Sequence, residues 1–170
     1  DNDKVINIIR GSGLFSGHYM ALFEKRLQEI IGNELTLVWN SYDTAFDSVL
    51  RQLDLEPNDE IILSPNACLA SLMPFVRNSC KIVWCDINPN TGCFDITQLK
   101  LKISKNTKAI VVYHWSGVIT EDFFEILSVA RSNGICLIED AIESFGSESK
   151  GLKSGNLGSD FTIFSFKSVR

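Results

Sequence analysis

The sequence predicts an open, mostly parallel α/β sheet with helices on both faces. Three observations predict it. Short β-rich runs alternate with amphipathic helical stretches along nearly the whole chain. The runs at 109–113 and 135–138 are continuously apolar, as strands buried on both faces must be. Polar clusters follow several strands, where open parallel sheets place their ligands.

The elements follow in order. Tyr19, Leu22, Phe23, Leu27, Ile30 and Ile31 recur at helical spacing, so 18–31 is a predicted helix, and Gly32-Asn33 stops it. Residues 35–39 form a short β-rich run. Asn40 to Thr44 then leads into a helix through Phe46, Val49, Leu50 and Leu53. A turn at 56–59 precedes a strand at 60–63; Ser64-Pro65-Asn66 breaks it, and a helix covers 67–78. A strand at 81–85 is closed by 86–90, and 96–103 is helical. The strand at 109–113 is followed by a helix over 121–133, capped by Gly134. The strand starting at 135 ends in Glu139-Asp140. Residues 147–158, rich in Gly and Ser, are hairpin-like, and 161–166 is the last strand. No internal repeat, low-complexity tract or interdomain linker interrupts the series.

Composition narrows the function. The chain has 170 residues, 45% apolar and 22% charged, enough for a packed core. Its net charge of -5 argues against nucleic acid, whose binders carry a basic field. No apolar run approaches the ~20 residues that a membrane helix needs. Five cysteines without a C-x-x-C pair suit free thiols in a reducing cytoplasm. The chain opens at Asp1 without a signal peptide and stops at Arg170, just after an apolar run, so a fragment or processed chain is expected.

The residues after the strands are the candidates for chemistry. His114 follows a buried strand and reads as a hydrogen-bonded strand-end histidine. His18 is the other histidine, no H-x-x-x-H spacing exists, and zinc is not expected. Asp140 is expected in the strand-end crevice, either capping a following helix or pairing with a buried cation. Asn40 to Thr44 opens a helix after a strand, where backbone N–H groups can hold a phosphate. There Asp43 would repel a phosphate dianion, and Ser41 or Asp43 serves equally as a plain N-cap. No GxGxxG or Walker A pattern supports a dinucleotide or nucleoside-triphosphate site.

The pieces together resemble the DegT/DnrJ/EryC1/StrS sugar aminotransferases. The matching stretches run in family order: Ser12-Gly13-Leu14-Phe15-Ser16-Gly17 with Phe23-Glu24, Pro57 to Ile62, Ser64 to Ser71, Val83 to Thr91, Lys105 to Ile110, His114 to Gly117, Ile138 to Ser144, and Gly158 to Phe161 with Phe164-Ser165-Phe166. The resemblance implies a type I fold of pyridoxal-phosphate (PLP) enzymes, of which residues 1–170 are the N-terminal part and large domain, the C-terminal small domain being absent. It implies PLP as cofactor, a cytoplasmic homodimer, and transfer of an amino group from glutamate to a nucleotide-linked keto sugar in polysaccharide or glycoconjugate synthesis. By resemblance Asp140 pairs with the pyridine nitrogen and Glu143 lies near the ring oxygen. Ser165 holds the phosphate, Tyr42 and Asp43 fall in the phosphate loop, and Cys68 falls where a residue packs over the ring.

Departures from the family pattern accompany these matches. The lysine that joins the cofactor stands four residues after Phe166 in the family, and here that position is Arg170. A guanidinium stays protonated and does not supply a free amine. Lys167 lies three residues earlier and reads as a solvated side chain. Tyr42-Asp43 replaces a small residue and a hydroxyl, and Cys68 replaces an aromatic side chain. Two readings stand: an aminotransferase, or a degenerate relative that binds a nucleotide sugar or a partner protein. The family's dehydrating branch replaces the lysine with histidine, which arginine matches poorly. An unrelated nucleotide-binding α/β domain lacks the glycine-rich loop it needs.

Overall fold

The computed structural model describes residues 2–11 and 17–166. The chain divides into two compact units, 1–38 and 39–170. Helix α1, Asn2–Arg10, opens the first unit. Val5, Ile6 and Ile9 give it a helical apolar spacing. Helix α2 is His18–Ile31, ended by Gly32 at φ 81, whose N–H bonds the Gln28 carbonyl. The run 35–39, predicted as a strand, carries no strand pairing. Instead its backbone is held by side chains: Leu35 N–H donates to Asn33 Oδ1 at 2.9 Å, and Val38 N–H to Glu24 Oε1 at 2.8 Å. Among the described residues no strand is paired with it, and β propensity alone cannot make a ladder.

The second unit is the predicted sheet. Its strands are β1 (Glu60–Leu63), β2 (Lys81–Trp84), β3 (Thr107–Tyr113), β4 (Cys136–Asp140) and β7 (Phe161–Ile163), in the order β2-β1-β3-β4-β7 and all parallel. A small antiparallel ribbon, β5 (Glu148–Ser149) with β6 (Leu152–Lys153), fills the hairpin-like stretch. The helices are α3 (Tyr42–Gln52), α4 (Leu69–Arg77), α5 (Ile96–Lys102) and α6 (Phe123–Asn133). The last strand is shorter than the predicted 161–166, because Phe164 to Phe166 leave the ladder.

Alternation along the buried strands builds two cores, one on each face. Ile62, Ile110, Val112 and Leu137 pack with Leu99, Phe123, Ile126, Leu127 and Ala130 from α5 and α6. Ile61, Leu63, Ala109, Val111, Ile138 and Ile163 pack with Phe46, Val49, Leu50 and Phe75 from α3 and α4. Parallel strands with helices on both faces leave their carboxyl ends open between the layers, and Asp140 lies at one of those ends. Among the described residues no helix is long and apolar enough to cross a membrane, and no cluster of His, Cys, Asp and Glu could hold a metal.

Candidate active site

Asp140 is the last residue of β4, registered between Tyr113 of β3 and Ile163 of β7. It is 2% exposed, so its carboxylate sits where polar partners matter. No helix follows it; residues 141–147 form turns, and the capping reading is thereby corrected. The Tyr42 phenol donates to Asp140 Oδ2 at 2.8 Å, across 98 positions of sequence.

Tyr42 is the first residue of α3. Ser41 is the N-cap and accepts from Thr44 N–H at 3.2 Å, while the Thr44 hydroxyl donates to Asn40 Oδ1 at 2.6 Å. The cap therefore belongs to Ser41, not Asp43. The Tyr42 ring packs on Phe46 at 4.9 Å between centroids, and Phe46 packs edge-on against Phe75 at 5.2 Å. Burial, and after it the charge of Asp140, pushes the phenol well above its ordinary range, so it remains a donor. The Ser71 hydroxyl draws the phenol the other way, and Cys68 Sγ lies 3.4 Å from Ser71 Oγ.

The other predicted residues have contacts of their own. Asp43 forms an ion pair with Arg77 of α4 at 2.7 Å, both side chains nearly half exposed. Glu143 is exposed, and its Oε2 accepts from Ser116 N–H at 2.9 Å. Ser116 and Gly117 form a tight turn after β3, and a Cβ on Gly117 would lie 2.8 Å from the Glu143 carbonyl. Ser165 is partly buried, two residues beyond β7. Cys68 is an exposed N-cap of α4. Arg170 and Lys167, with Ser12 to Ser16 of the first matching stretch, lie outside the described residues.

His114 is fully buried, as its strand-end reading requires. Its Nε2 faces Glu139 Oε2 at 2.9 Å, and its Nδ1 accepts from Thr120 N–H at 3.3 Å. That second contact puts the ring hydrogen on Nε2, toward Glu139. Glu139, also fully buried, further accepts from the Ser159 and Thr162 hydroxyls. Glu139 therefore ties β3, β4 and β7 together on the side opposite Asp140. A cavity of about 290 Å³ beyond β2 is lined by Pro65, Trp84, Cys85, Asp86, Gln98 and Lys102, with none of the candidate residues among them.

Sequence reasoning found Asp140 but gave no role to Ser71, Phe46 or Arg77. Ser71 lies in a matching stretch and could have been flagged there. Nothing in the sequence marks Phe46 or Arg77 as site neighbours.

Can these residues hold PLP? A buried carboxylate suits a protonated ring nitrogen. Yet Asp140 Oδ2 already accepts from Tyr42, and the start of α3 presents the Asp43 carboxylate rather than a hydroxyl. As these side chains stand, the Tyr42 ring faces the carboxylate that the resemblance gives to the pyridine nitrogen, and Asp43 offers a phosphate no side-chain donor.

Comparison with known proteins bears on the whole chain. The family model described as "DegT/DnrJ/EryC1/StrS aminotransferase family" matches residues 1–170. GDP-perosamine synthase of Caulobacter vibrioides is 34% identical over 150 residues, covering 88% of this chain and 40% of that protein. Spr1654 of Streptococcus pneumoniae, solved in PLP, apo and PMP forms, superposes in its PLP form with a TM-score of 0.89 at 26% identity, covering 99% of this chain and 46% of that one. PseC of Helicobacter pylori, an aminotransferase of pseudoaminic acid biosynthesis, gives 0.89 at 25% identity, covering 99% and 45%. The chain thus spans less than half the length of these proteins.

Proposed function

The chain belongs to the DegT/DnrJ/EryC1/StrS aminotransferase family, and from that premise we propose that it binds a nucleotide-linked sugar without carrying out amino transfer itself. One observation carries this reading: the ring of Tyr42, packed on Phe46, stands at the carboxylate that the resemblance gives to the cofactor ring, its phenol 2.8 Å from Asp140 Oδ2. Arg170, at the position of the cofactor-joining lysine, supports it. The ligand class is suggested by relatives named for nucleotide-sugar chemistry, GDP-perosamine synthase among them. The 170 residues correspond to the large domain of a two-domain protein, and a homodimer in the cytoplasm is the assembly and setting proposed for it.

A second reading is favoured by the retention of Asp140, buried at the end of β4. There the protein is a PLP-dependent aminotransferase moving an amino group from glutamate to a nucleotide-linked keto sugar in polysaccharide synthesis. Two measurements on the full chain separate the readings. The protein is mixed with PLP, treated with borohydride and weighed intact, and calorimetry follows UDP- and GDP-linked sugars. The first reading expects no specific adduct and saturable sugar-nucleotide binding. A stoichiometric adduct together with half-transamination of glutamate would establish the second in its place.

A further inference from the structure

This inference rests on the first reading and deepens it. We propose that Tyr42 is the residue that excludes a pyridoxal-type cofactor, its phenol serving as a built-in replacement for the ring donor of Asp140.

The hydrogen bond alone does not exclude. A carboxylate has lone pairs for more than one donor. The exclusion comes from the ring behind the hydroxyl, which stands on the approach to Oδ2. That ring is fixed at three points. Its backbone starts a helix set by the Ser41 cap. Its face packs on Phe46, itself fully buried and held by Phe75. Its hydroxyl is bonded to Asp140 Oδ2 at 2.8 Å. A side chain anchored this way cannot swing aside without exposing Phe46 and taking one of its donors from a buried carboxylate.

Asp43 completes the arrangement at the other end. Its ion pair with Arg77 is nearly half exposed on both sides and adds little to stability. Its consequence is a missing donor: a carboxylate tied to Arg77 stands in the first turn of α3 where a hydroxyl could donate to a phosphate. Adjacent residues thus close the site twice, Tyr42 against the ring and Asp43 against the phosphate.

The probe is pyridoxamine 5′-phosphate, which has no aldehyde to react with surface lysines, so only non-covalent binding is read. Equilibrium dialysis compares the full wild-type chain with Tyr42→Phe, Tyr42→Ala, and Tyr42→Ala combined with Asp43→Thr. Circular dichroism melts verify that each variant is folded. The expected result is no saturable binding by wild type or Tyr42→Phe. The double variant is expected to bind at least about tenfold tighter than wild type, with Tyr42→Ala between them. A folded double variant no tighter than wild type overturns the role of Tyr42 and leaves the first reading standing. Binding by Tyr42→Phe equal to that of the double variant overturns the ring as the excluding group. If the alanine variants do not fold, saturable binding by folded Tyr42→Phe overturns the ring as the excluding group, and no binding by it upholds that role. Saturable binding by wild type instead overturns the first reading itself.

Discussion

At residue scale, Glu139 and Asp140 are neighbours in sequence with opposite tasks. Alternation along β4 sends one carboxylate to each face of the sheet. Glu139 accepts from His114, Ser159 and Thr162, and its environment is wholly protein. Replacing Glu139 with Ala strands these donors, and the loss expected is about 3 kcal/mol. Glu139→Gln, which keeps an acceptor oxygen, should lose less. Urea unfolding of the three proteins measures both, and equal losses would remove the special role of the carboxylate. The sequence reading placed His114 at a strand end and Asp140 in the crevice, because an apolar run names the residue that follows it. It could not pair Tyr42 with Asp140. Ninety-eight positions separate them, and their meeting depends on how α3 packs on the sheet.

At element scale, the helices were legible because their apolar spacing and stop signals agree. The predicted helix 18–31 is α2 to the residue, and Gly32 ends it at φ 81. The run 35–39 failed as a strand because a ladder needs a partner and pattern supplies only candidates. Strand β2 lies at the edge of the sheet, tied to β1 beyond its ladder by Lys81 Nζ on Glu60 Oε1 at 2.9 Å. The Ser104 hydroxyl donates to the other oxygen at 2.5 Å. These two partners, Lys81 first, hold the Glu60 carboxyl below its ordinary range. A carboxyl whose pKa is lower in the folded state binds more protons when unfolded. Its contribution is therefore present above the ordinary carboxylate range and lost as pH falls through the folded value. Glu60→Gln should flatten the acid limb of a stability-against-pH curve and leave the neutral-to-acid difference smaller than in wild type. An unchanged acid limb would show that the tether contributes nothing.

At the scale of the molecule, the five parallel strands separate two apolar cores, and β3 contributes to both. Ile110 is fully buried in the core formed with α5 and α6. Ile110→Ala removes packed methylenes from a layer that cannot collapse around the gap. It should cost about 3 kcal/mol by urea unfolding, and a loss under about 1 kcal/mol would mean a loosely packed layer. The sequence by itself determined the fold class, the order of the sheet-forming runs and the residues at the strand ends. Periodicity, breakers and apolar runs are local properties, and each can be read within a few residues. Family membership was legible for a related reason, since the matching stretches fall in order along one dimension. Only the tertiary structure decided that the Asp140 carboxylate meets the Tyr42 phenol, that Asp43 pairs with Arg77, and that among the described residues no strand lies beside 35–39. Those outcomes depend on which distant groups packing brings within hydrogen-bonding reach, and no local pattern encodes that distance.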